Sequence, residues 1–187
     1  MNKIVTISGP SGAGKSTIIN RLVELYPDMY CRFLSYTTRE KRDNEVCGVH
    51  YHFICNNEFK DKLKECEIFE FSCRHGCPEE GPFWGMGHTP MNKVRSKGLI
   101  PINDVETQGV KALKKMYGDA HIAIFLNLHK EELERRLRDR GGAIAENARR
   151  IKDYDDYFTE MDLFDSVVYN DEVEKAVQEI HELVLKR

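Results

Sequence analysis

Several features that assign proteins to broad classes are absent from this sequence. No apolar run approaches the ~18–20 residues of a membrane-spanning helix, and the N-terminus, MNKIVTISGPSGAGK, lacks the order of a signal peptide. With 28 Lys and Arg against 31 Asp and Glu, the net charge is −3. No basic excess therefore favours nucleic acid or an anionic membrane as a partner. We expect a cytoplasmic protein whose anionic ligands need a locally basic site.

Cysteine motifs for metal binding are also incomplete. Cys73, His75, Cys77 and His88 could in principle supply zinc ligands, but paired C-x₂-C spacing is absent. A flexible polar loop is the favoured interpretation of this segment. Because no export signal is present, the six cysteines are expected to be reduced thiols rather than a disulfide framework.

The main signal for the fold is the alternation of short apolar runs with amphipathic segments. Strands are predicted at 4–7, 31–36, 51–54, 68–72, 99–103, 121–126 and 166–169. Helices are predicted at 16–25, after a cap at Asn56 or Asn57, from Thr89 to Gly98, and at 106–117, 130–140, 143–159 and 171–185. Residues 74–88, with four glycines and two prolines, are expected to be irregular.

This order of elements predicts an α/β protein whose parallel sheet is covered by helices on both faces. The length of 187 residues suits one domain. Within residues 1–187 we expect a core at about 1–32 and 90–187. A small acceptor-binding insertion is expected at about 33–90 and a helical lid at about 130–155.

A phosphate-binding loop follows the first predicted strand. The loop matches G-x-x-x-x-G-K-[ST] at Gly9, Pro10, Ser11, Gly12, Ala13, Gly14, Lys15 and Ser16, with Thr17 next to it. Glycines let backbone N–H groups surround phosphate oxygens, and the helix N-terminus adds its positive dipole end. Lys15 can reach the β- and γ-phosphates of ATP, and the Ser16 hydroxyl can bind Mg²⁺. The loop indicates a P-loop NTPase core without naming the acceptor.

A second basic segment lies between the predicted strands that follow. Arg39 and Arg42, three residues apart, could hold a phosphate between two guanidinium groups, and Tyr51 supplies a nearby hydroxyl. Taken alone, this arginine pair is more often a solvated surface turn.

The order of these residues resembles guanylate kinase. The pattern S-x-T-T-R-x-x-R-x-x-E-x-x-G-x-x-Y-x-F begins at Ser35, downstream of the phosphate loop. Glu70, in Ile68–Phe71, resembles the family's base-reading glutamate, and DVETQG at 104–109 resembles its D-x-D-x-Q-G segment. The resemblance runs from about residue 3 to the C-terminus.

The resemblance implies ATP-dependent phosphorylation of GMP, and of dGMP, with Mg²⁺. The residues implied for GMP are Ser35, Arg39, Arg42, Tyr51, Glu70, Trp84, Asp104 and Glu106. Those implied for catalysis are Lys15, Arg39, Arg136, Arg140 and Arg150, the last three in the lid. Asn170 resembles the asparagine that meets the adenine of ATP, whose phosphates the loop from Gly9 to Thr17 would bind.

Three departures from the family pattern leave alternatives open. Trp84 and Met86 stand in the run that is usually Tyr-Gly-Ser/Thr, and Glu106 replaces an aspartate. Met86 cannot donate to guanine O6, so the base contact is weaker or is rebuilt from another group. One alternative is a kinase for another nucleoside monophosphate or a phosphorylated sugar. The other is a non-catalytic binding module, against which Lys15 and Ser16 argue.

Overall fold

A computed structural model of the chain describes residues 3–73, 82–139, 151, 154 and 157–187. The strands are β1 (Ile4–Ser8), β2 (Tyr30–Arg32), β3 (Tyr36–Thr37), β4 (His52–Phe53), β5 (Ile68–Cys73), β6 (Phe83–Gly87), β7 (Ile100–Asp104), β8 (His121–Asn127) and β9 (Ser166–Tyr169). The helices are α1 (Lys15–Leu25), α2 (Asn56–Lys64), α3 (His88–Arg95), α4 (Thr107–Tyr117), α5 (Lys130–Asp139) and α6 (Val173–Lys186). Short 3₁₀ turns occupy Gly118–Ala120 and Tyr157–Leu163.

The larger sheet has five strands in the order β2-β7-β1-β8-β9, and every pairing in it is parallel. β1 lies at its centre, so the segment that follows β1 emerges at the carboxyl edge of the sheet. Ligands of open α/β sheets bind in a crevice at this edge. The phosphate loop therefore starts in the place where such a crevice forms.

Both faces of this sheet are covered, as the sequence predicts. Val5 and Ile7 of β1 belong to a core cluster that includes Ile18 of α1 and Val177 of α6. Ile4 belongs to a second cluster, which contains residues of α3 and α4. Successive side chains of a strand point to opposite faces, so one fully buried strand supplies both cores. The α/β class with a mostly parallel central sheet is confirmed.

A second sheet of four strands has the order β4-β3-β6-β5. β6 pairs antiparallel with both β3 and β5, whereas β3 and β4 are parallel. All four strands fall within residues 33–90. The division into core, insertion and lid stays a prediction, and most of the helix predicted at 143–159 lies outside the described residues.

Two strand predictions are wrong in this region. The single strand predicted at 31–36 is two strands in different sheets, because the chain leaves the large sheet after Arg32 and joins the small one at Tyr36. The irregular segment predicted at 74–88 contains β6. Glycines weaken the strand signal of β6, but pairing with β3 and β5 on both sides supplies the hydrogen bonds that stabilise it.

Gly85 of β6 is required by close packing. A Cβ built there would lie 2.8 Å from the ring of Phe59 on α2 and 2.8 Å from the Ile68 side chain. Phe59 is fully buried and stacks on Phe83 at a centroid distance of 5.2 Å. The aromatic ring therefore occupies the space that any larger residue at position 85 would need.

We expect Gly85→Ala to lower the free energy of unfolding by about 1–3 kcal/mol, the usual range for overpacking a core. Urea denaturation of both proteins measures the difference. Lys60→Ala, an exposed substitution on α2, is the control and should change the free energy by less than about 0.5 kcal/mol. An unchanged midpoint for Gly85→Ala would show that Phe59 can move aside.

Two further predictions are wrong: that an asparagine caps α2, and that all six cysteines are reduced. The cap of α2 is Cys55, whose Sγ accepts a hydrogen bond from the Glu58 amide at 3.5 Å, so neither asparagine caps it. Four cysteines are free thiols, but Cys73 is disulfide-bonded, with its partner outside the described residues. The expectation of six reduced thiols is therefore wrong for Cys73. A missing export signal bears on the compartment, whereas disulfide formation depends on whether two cysteines approach each other.

Within the described residues, no three His, Cys, Asp or Glu side chains are grouped as metal ligands. No helix there is both long enough and apolar enough to cross a membrane.

Candidate active site

One cavity of about 290 Å³ lies where the carboxyl ends of β2 and β7 face the small sheet. Its lining joins residues far apart in the sequence: Lys15, Arg32, Ser35, His50, Tyr51, Glu70, Ser72, Cys73, Trp84, Gly85, Met86, Asn103, Asp104, Val105 and Glu106. Lys15 of the phosphate loop and six of the eight residues predicted for GMP, including Glu70 and Glu106, therefore meet in one place. Arg39 and Arg42, which were predicted to hold the acceptor phosphate, lie outside this lining.

The phosphate loop owes its shape to glycine at two positions. Gly9 has φ of +141°, and a Cβ there would overlap the carbonyl oxygen of Leu126 on β8. Gly14 has φ of +91°, forms the N-cap of α1 and lies against the Asn170 side chain. Larger residues would be strained at both positions. The tight contacts with β8 and Asn170 therefore keep the loop closed around the start of α1.

Lys15 lies at the point where the phosphate loop enters the cavity. Its Nζ donates hydrogen bonds to the carbonyl oxygens of Gly9 at 2.6 Å and Pro10 at 3.0 Å. Ser16 and Thr17 lie in the first turn of α1, and that turn contains no acidic residue. A positive helix end without a nearby carboxylate favours the binding of phosphate.

Asn170 and Arg136 lie on the other side of the phosphate loop. The Nδ2 of Asn170, a buried residue, donates to the Ala13 carbonyl at 2.7 Å. Arg136 of α5 donates from Nε to Glu132 at 2.7 Å and from Nη2 to the Asn170 carbonyl at 3.1 Å. Hydrogen bonds with Arg135 and Arg136 hold the pKa of Glu132 low, at about 2. Arg136 is thereby fixed beside the loop that binds phosphate.

The predicted contacts of the lid and of adenine are only partly covered by the described residues. Arg140 and Arg150 lie outside them, so their catalytic roles stay predictions. The contact of Asn170 with adenine is likewise a prediction. The structure adds that Asn170 anchors the phosphate loop, which sequence reasoning missed.

Arg39 is held by Glu45, the glutamate of the R-x-x-R-x-x-E pattern. No role for Glu45 was predicted from the sequence. The Arg39 Nη1 and Nη2 donate to the two carboxylate oxygens of Glu45 at 2.7 and 2.5 Å. The guanidinium also lies 5.2 Å from the ring centroid of Tyr51 and 5.4 Å from that of Phe53. Hydrogen bonds from Arg39 and the Arg42 amide lower the pKa of Glu45 to about 2. Glu45 is therefore ionised throughout the neutral range.

The Arg39–Glu45 pair positions the arginine and still leaves it donors for a ligand. A guanidinium has five N–H groups. The bidentate pair with Glu45 uses two of them, and Nη1 also donates to the Glu40 carbonyl at 2.8 Å, so two N–H groups remain after these contacts. Arg42 is exposed, and its backbone N–H donates to Glu45 at 2.9 Å, so the same acid fixes the backbone of the second arginine. The spacing R-x-x-R-x-x-E is the signal from which this arrangement could have been found.

We expect Glu45→Gln to raise KM for GMP by about tenfold while leaving KM for ATP within about twofold, an effect on the scale of losing one charge-assisted contact. The amide cannot accept two charge-assisted hydrogen bonds, so the Arg39 guanidinium loses its fixed orientation. Steady-state kinetics with each substrate varied in turn measures both constants. Glu40→Gln, an exposed acid of the same loop, is the matched control and should change neither. Equal rises in both KM values would contradict the assignment of Arg39 to the acceptor.

A second ion pair lies inside the cavity. The Arg32 Nη2 donates to Asp104 at 2.5 Å, and its Nε donates to Asn103 at 3.2 Å. The Asn103 amide donates in turn to the Phe33 carbonyl at 2.8 Å and to the Ser35 hydroxyl at 3.2 Å. Asp104, a predicted GMP residue, therefore already has a cationic partner. Sequence reasoning missed Arg32, although an arginine within the apolar segment Tyr30–Phe33 is a signal of a polar site.

The two predicted base-reading acids share the far end of the cavity. Burial, and after it the nearby Glu106 carboxylate, raises the pKa of Glu70 to about 7. A Cβ on Gly109 of α4 would lie 3.4 Å from the Glu70 carboxyl carbon and 2.6 Å from Met86 Cε. The glycine therefore lets α4 approach β5 and β6 closely, and this approach is what buries Glu70.

The fold and this cavity define a P-loop kinase that acts on nucleotides. The sequence model described as Guanylate kinase matches residues 1–187, so the chain belongs to the guanylate kinase family. A Campylobacter jejuni (strain RM1221) guanylate kinase is 29% identical over 97% of this chain and 87% of its own length. A guanylate kinase of Helicobacter pylori (strain 26695) is 34% identical over 92% of this chain and 82% of its own. These relatives bear out the sequence-based assignment to an enzyme family.

A solved structure shows the same fold. The crystal structure of guanylate kinase from Anaplasma phagocytophilum superposes with a TM-score of 0.74 at 24% identity. The match covers 98% of this chain and 85% of that one. At this level of identity the superposition supports the fold, while the family assignment rests on the sequence matches.

Proposed function

We propose that this chain transfers the γ-phosphate of ATP to GMP and to dGMP, giving ADP and GDP or dGDP. The observation that supports it is the composition of one cavity. Lys15 of the phosphate loop, Ser35 and Tyr51 of the acceptor segment, and the Glu70 and Glu106 carboxyls all line it. A cation for the donor phosphates and acids for the acceptor base thus line the same cavity.

The acids favour guanine over the other purine. A carboxylate only accepts hydrogen bonds. Guanine presents donors at its N1–H and 2-amino group, where adenine has an unprotonated N1 and hydrogen at C2. Two carboxyls at the end of the cavity therefore suit guanine. A phosphorylated sugar has no comparable pair of adjacent donors, which argues against the sugar-kinase alternative.

The transfer needs positioning and positive charge more than covalent chemistry. An oxygen of the acceptor phosphate attacks the γ-phosphorus in line, the bond to the β-phosphate oxygen breaks, and ADP leaves with that electron pair. A phosphate monoester is ionised at neutral pH, with a second pKa near about 6, so no general base is required. Lys15 and Arg136 on the donor side and Arg39 on the acceptor side would offset the negative charge.

Mg²⁺ fits the donor side of the site. Ser16 offers a hydroxyl oxygen in the first turn of α1, and oxygen is the ligand type that Mg²⁺ prefers. Bound there with ATP, the ion would neutralise charge on the β- and γ-phosphates. Ser16 is the residue that would hold it. The cytoplasmic location expected from the sequence stays a prediction.

An assay of ADP release with Mg·ATP and a panel of nucleoside monophosphates tests the proposal. Turnover with GMP and dGMP, and little with AMP, CMP or UMP, is the expected result. Turnover with a different acceptor would keep the kinase class and discard guanine. If the protein binds Mg·ATP but turns over none of these acceptors, its acceptor is a different molecule. If it does not bind ATP, the binding-module alternative is indicated.

A further inference from the structure

Guanine presents an acceptor, O6, that the two acids cannot satisfy. A carboxylate repels this oxygen, so selective binding of guanine needs a hydrogen-bond donor beside Glu70. Met86 lies directly opposite Glu70 in the register of β5 and β6. It is 3% exposed, and its Cε packs against Gly109. Met86 therefore fills space beside the base site and offers no donor.

Ser72 offers a donor on the adjacent position of the same strand. It follows Glu70 by two residues on β5, so both side chains stand on the same face of the sheet, and both line the cavity. Within the described part of the chain, the Ser72 hydroxyl makes no hydrogen bond, and the Glu70 carboxyl makes none either. Two polar groups of complementary type thus enter the cavity about 7 Å apart along the strand.

The strand order places Ser72 on the base side of the cavity. Tyr51 immediately precedes β4, whereas Ser72 belongs to β5, at the opposite edge of the order β4-β3-β6-β5. Neighbouring strands lie about 4.8 Å apart, so three intervals separate the two edges by about 14 Å. Tyr51 and Arg39, whose guanidinium lies over the Tyr51 ring, are at the β4 edge, whereas Ser72 pairs with Trp84 on β6, two residues along from the Glu70–Met86 pair. The hydroxyl of Ser72 is therefore nearer to the Glu70 carboxyl than to those two phosphate contacts.

We propose that the Ser72 hydroxyl donates a hydrogen bond to O6 of the acceptor guanine and, with Glu70, reads its base edge. The proposal rests on the proposed function and adds to it a specificity residue for the same site. Glu70 accepts from the ring N–H, Glu106 from the exocyclic amine on one side, and Ser72 donates to O6 on the other. The three groups together match the order amine, ring N–H and carbonyl on guanine.

Three purine nucleotides separate this role from others. GMP and IMP both carry O6 and the ring N–H, while purine riboside 5′-monophosphate, which has only hydrogen at C6, carries neither. Ser72→Ala is therefore expected to reduce kcat/KM for GMP and for IMP by about tenfold each, the usual effect of one neutral hydrogen bond. The inhibition constant of purine riboside 5′-monophosphate against GMP should change by less than about twofold, since hydrogen at C6 neither accepts from nor donates to this hydroxyl. Selectivity for GMP over that nucleotide falls accordingly.

Two further variants distinguish the loss of the hydroxyl donor from a general disturbance of the site. Ser72→Thr retains the hydroxyl and is expected to keep at least about one third of the activity on GMP, because the donor itself is unchanged. Adding Met86→Ser to Ser72→Ala places a hydroxyl directly opposite Glu70 and is expected to restore part of the loss. Thermal unfolding of each variant checks that the fold is intact, and calorimetric titration with GMP measures binding apart from turnover.

Several outcomes would overturn the inference. GMP kinetics unchanged in Ser72→Ala would show that the hydroxyl makes no contact with the substrate. An equal loss for GMP, IMP and purine riboside 5′-monophosphate would place the hydroxyl at the phosphate or in the fold. If the wild-type protein does not phosphorylate GMP, the proposed function fails and this inference fails with it. Wild-type turnover of GMP combined with an unaffected Ser72→Ala overturns the inference alone.

Discussion

Lys15→Ala is expected to lower kcat for GMP phosphorylation by about 10³-fold, the loss typical of removing a group that stabilises developing charge in a transition state. The Lys15 ammonium lies at the mouth of the phosphate loop, bonded to the carbonyls of Gly9 and Pro10, and it lines the cavity. A methyl group in its place removes two hydrogen bonds to the loop and the positive charge that the proposed function places beside the γ-phosphate.

Rapid-quench measurements of a single turnover separate this effect on the chemical step from substrate binding. The affinity for GMP, measured without ATP, should change by less than about threefold, because the acceptor contacts lie elsewhere in the cavity. Lys115→Ala, an exposed lysine of α4, is the matched control and should leave kcat unchanged. A Lys15→Ala enzyme that retains more than about a tenth of the wild-type kcat would contradict the donor-side assignment.

Glu70→Gln is expected to lower kcat/KM for GMP by about 10³-fold. The side chains are nearly equal in size, but the amide loses the negative charge and replaces one accepting oxygen with an NH₂ group, which faces the guanine donors as a further donor. Sites built to hydrogen-bond one substrate group reject a mismatched group by factors of about 10⁴. The partial loss expected here reflects the remaining contacts of Glu106. Glu67→Gln is unsuitable as a control because Glu67 bonds Tyr36 and Thr89, so exposed Glu65→Gln serves instead.

The same variant tests the pH dependence of GMP binding. Burial and the Glu106 charge raise the pKa of Glu70 to about 7, and the ionised carboxyl is the form that only accepts hydrogen bonds. The affinity of the wild-type protein for GMP should therefore rise about tenfold between about pH 6 and pH 8 and level off above it. The GMP phosphate also titrates near about pH 6, but it does so equally in both proteins. The affinity of the wild-type protein divided by that of the Glu70→Gln variant isolates the carboxyl.

The pH dependence of the free energy of unfolding provides an independent test of the raised pKa of Glu70. Since the folded-state pKa of Glu70 lies above its reference value of 4.5, the stabilising contribution of its protonated form is fully present below pH 4.5 and is lost as the pH rises through about 7. Glu70→Gln should therefore be more stable than the wild-type protein at about pH 8, by about 1–3 kcal/mol, and equally stable at about pH 4. Urea unfolding at the two pH values measures this. A glutamine variant less stable at the higher pH would show that the ionised Glu70 has an unrecognised partner.

The parts of the fold that follow from local patterns were the ones the sequence predicted. Apolar β-branched runs such as Ile4–Ile7 and His121–Leu126 mark buried parallel strands, and G-x-x-x-x-G-K-S specifies a loop through its glycines. The predictions that failed depend on partners elsewhere in the chain. β6 is a strand because β3 and β5 flank it, and its glycines reflect contacts with Phe59 and Tyr36 that no local pattern contains.

The candidate site divides in the same way. The sequence by itself determined the phosphate loop, because its glycines, lysine and serine at fixed spacing specify a loop that binds phosphate. The acceptor arginines and the two acids followed from the resemblance to guanylate kinase, and their roles stay predictions. Only the tertiary structure decided that Glu45 holds Arg39, that Arg32 neutralises Asp104 and that Ser72 enters the cavity beside Glu70. The physical reason is that side-chain pairing and desolvation depend on distances across the fold. Those distances are set by how two sheets and α4 pack together, and a linear pattern does not contain them.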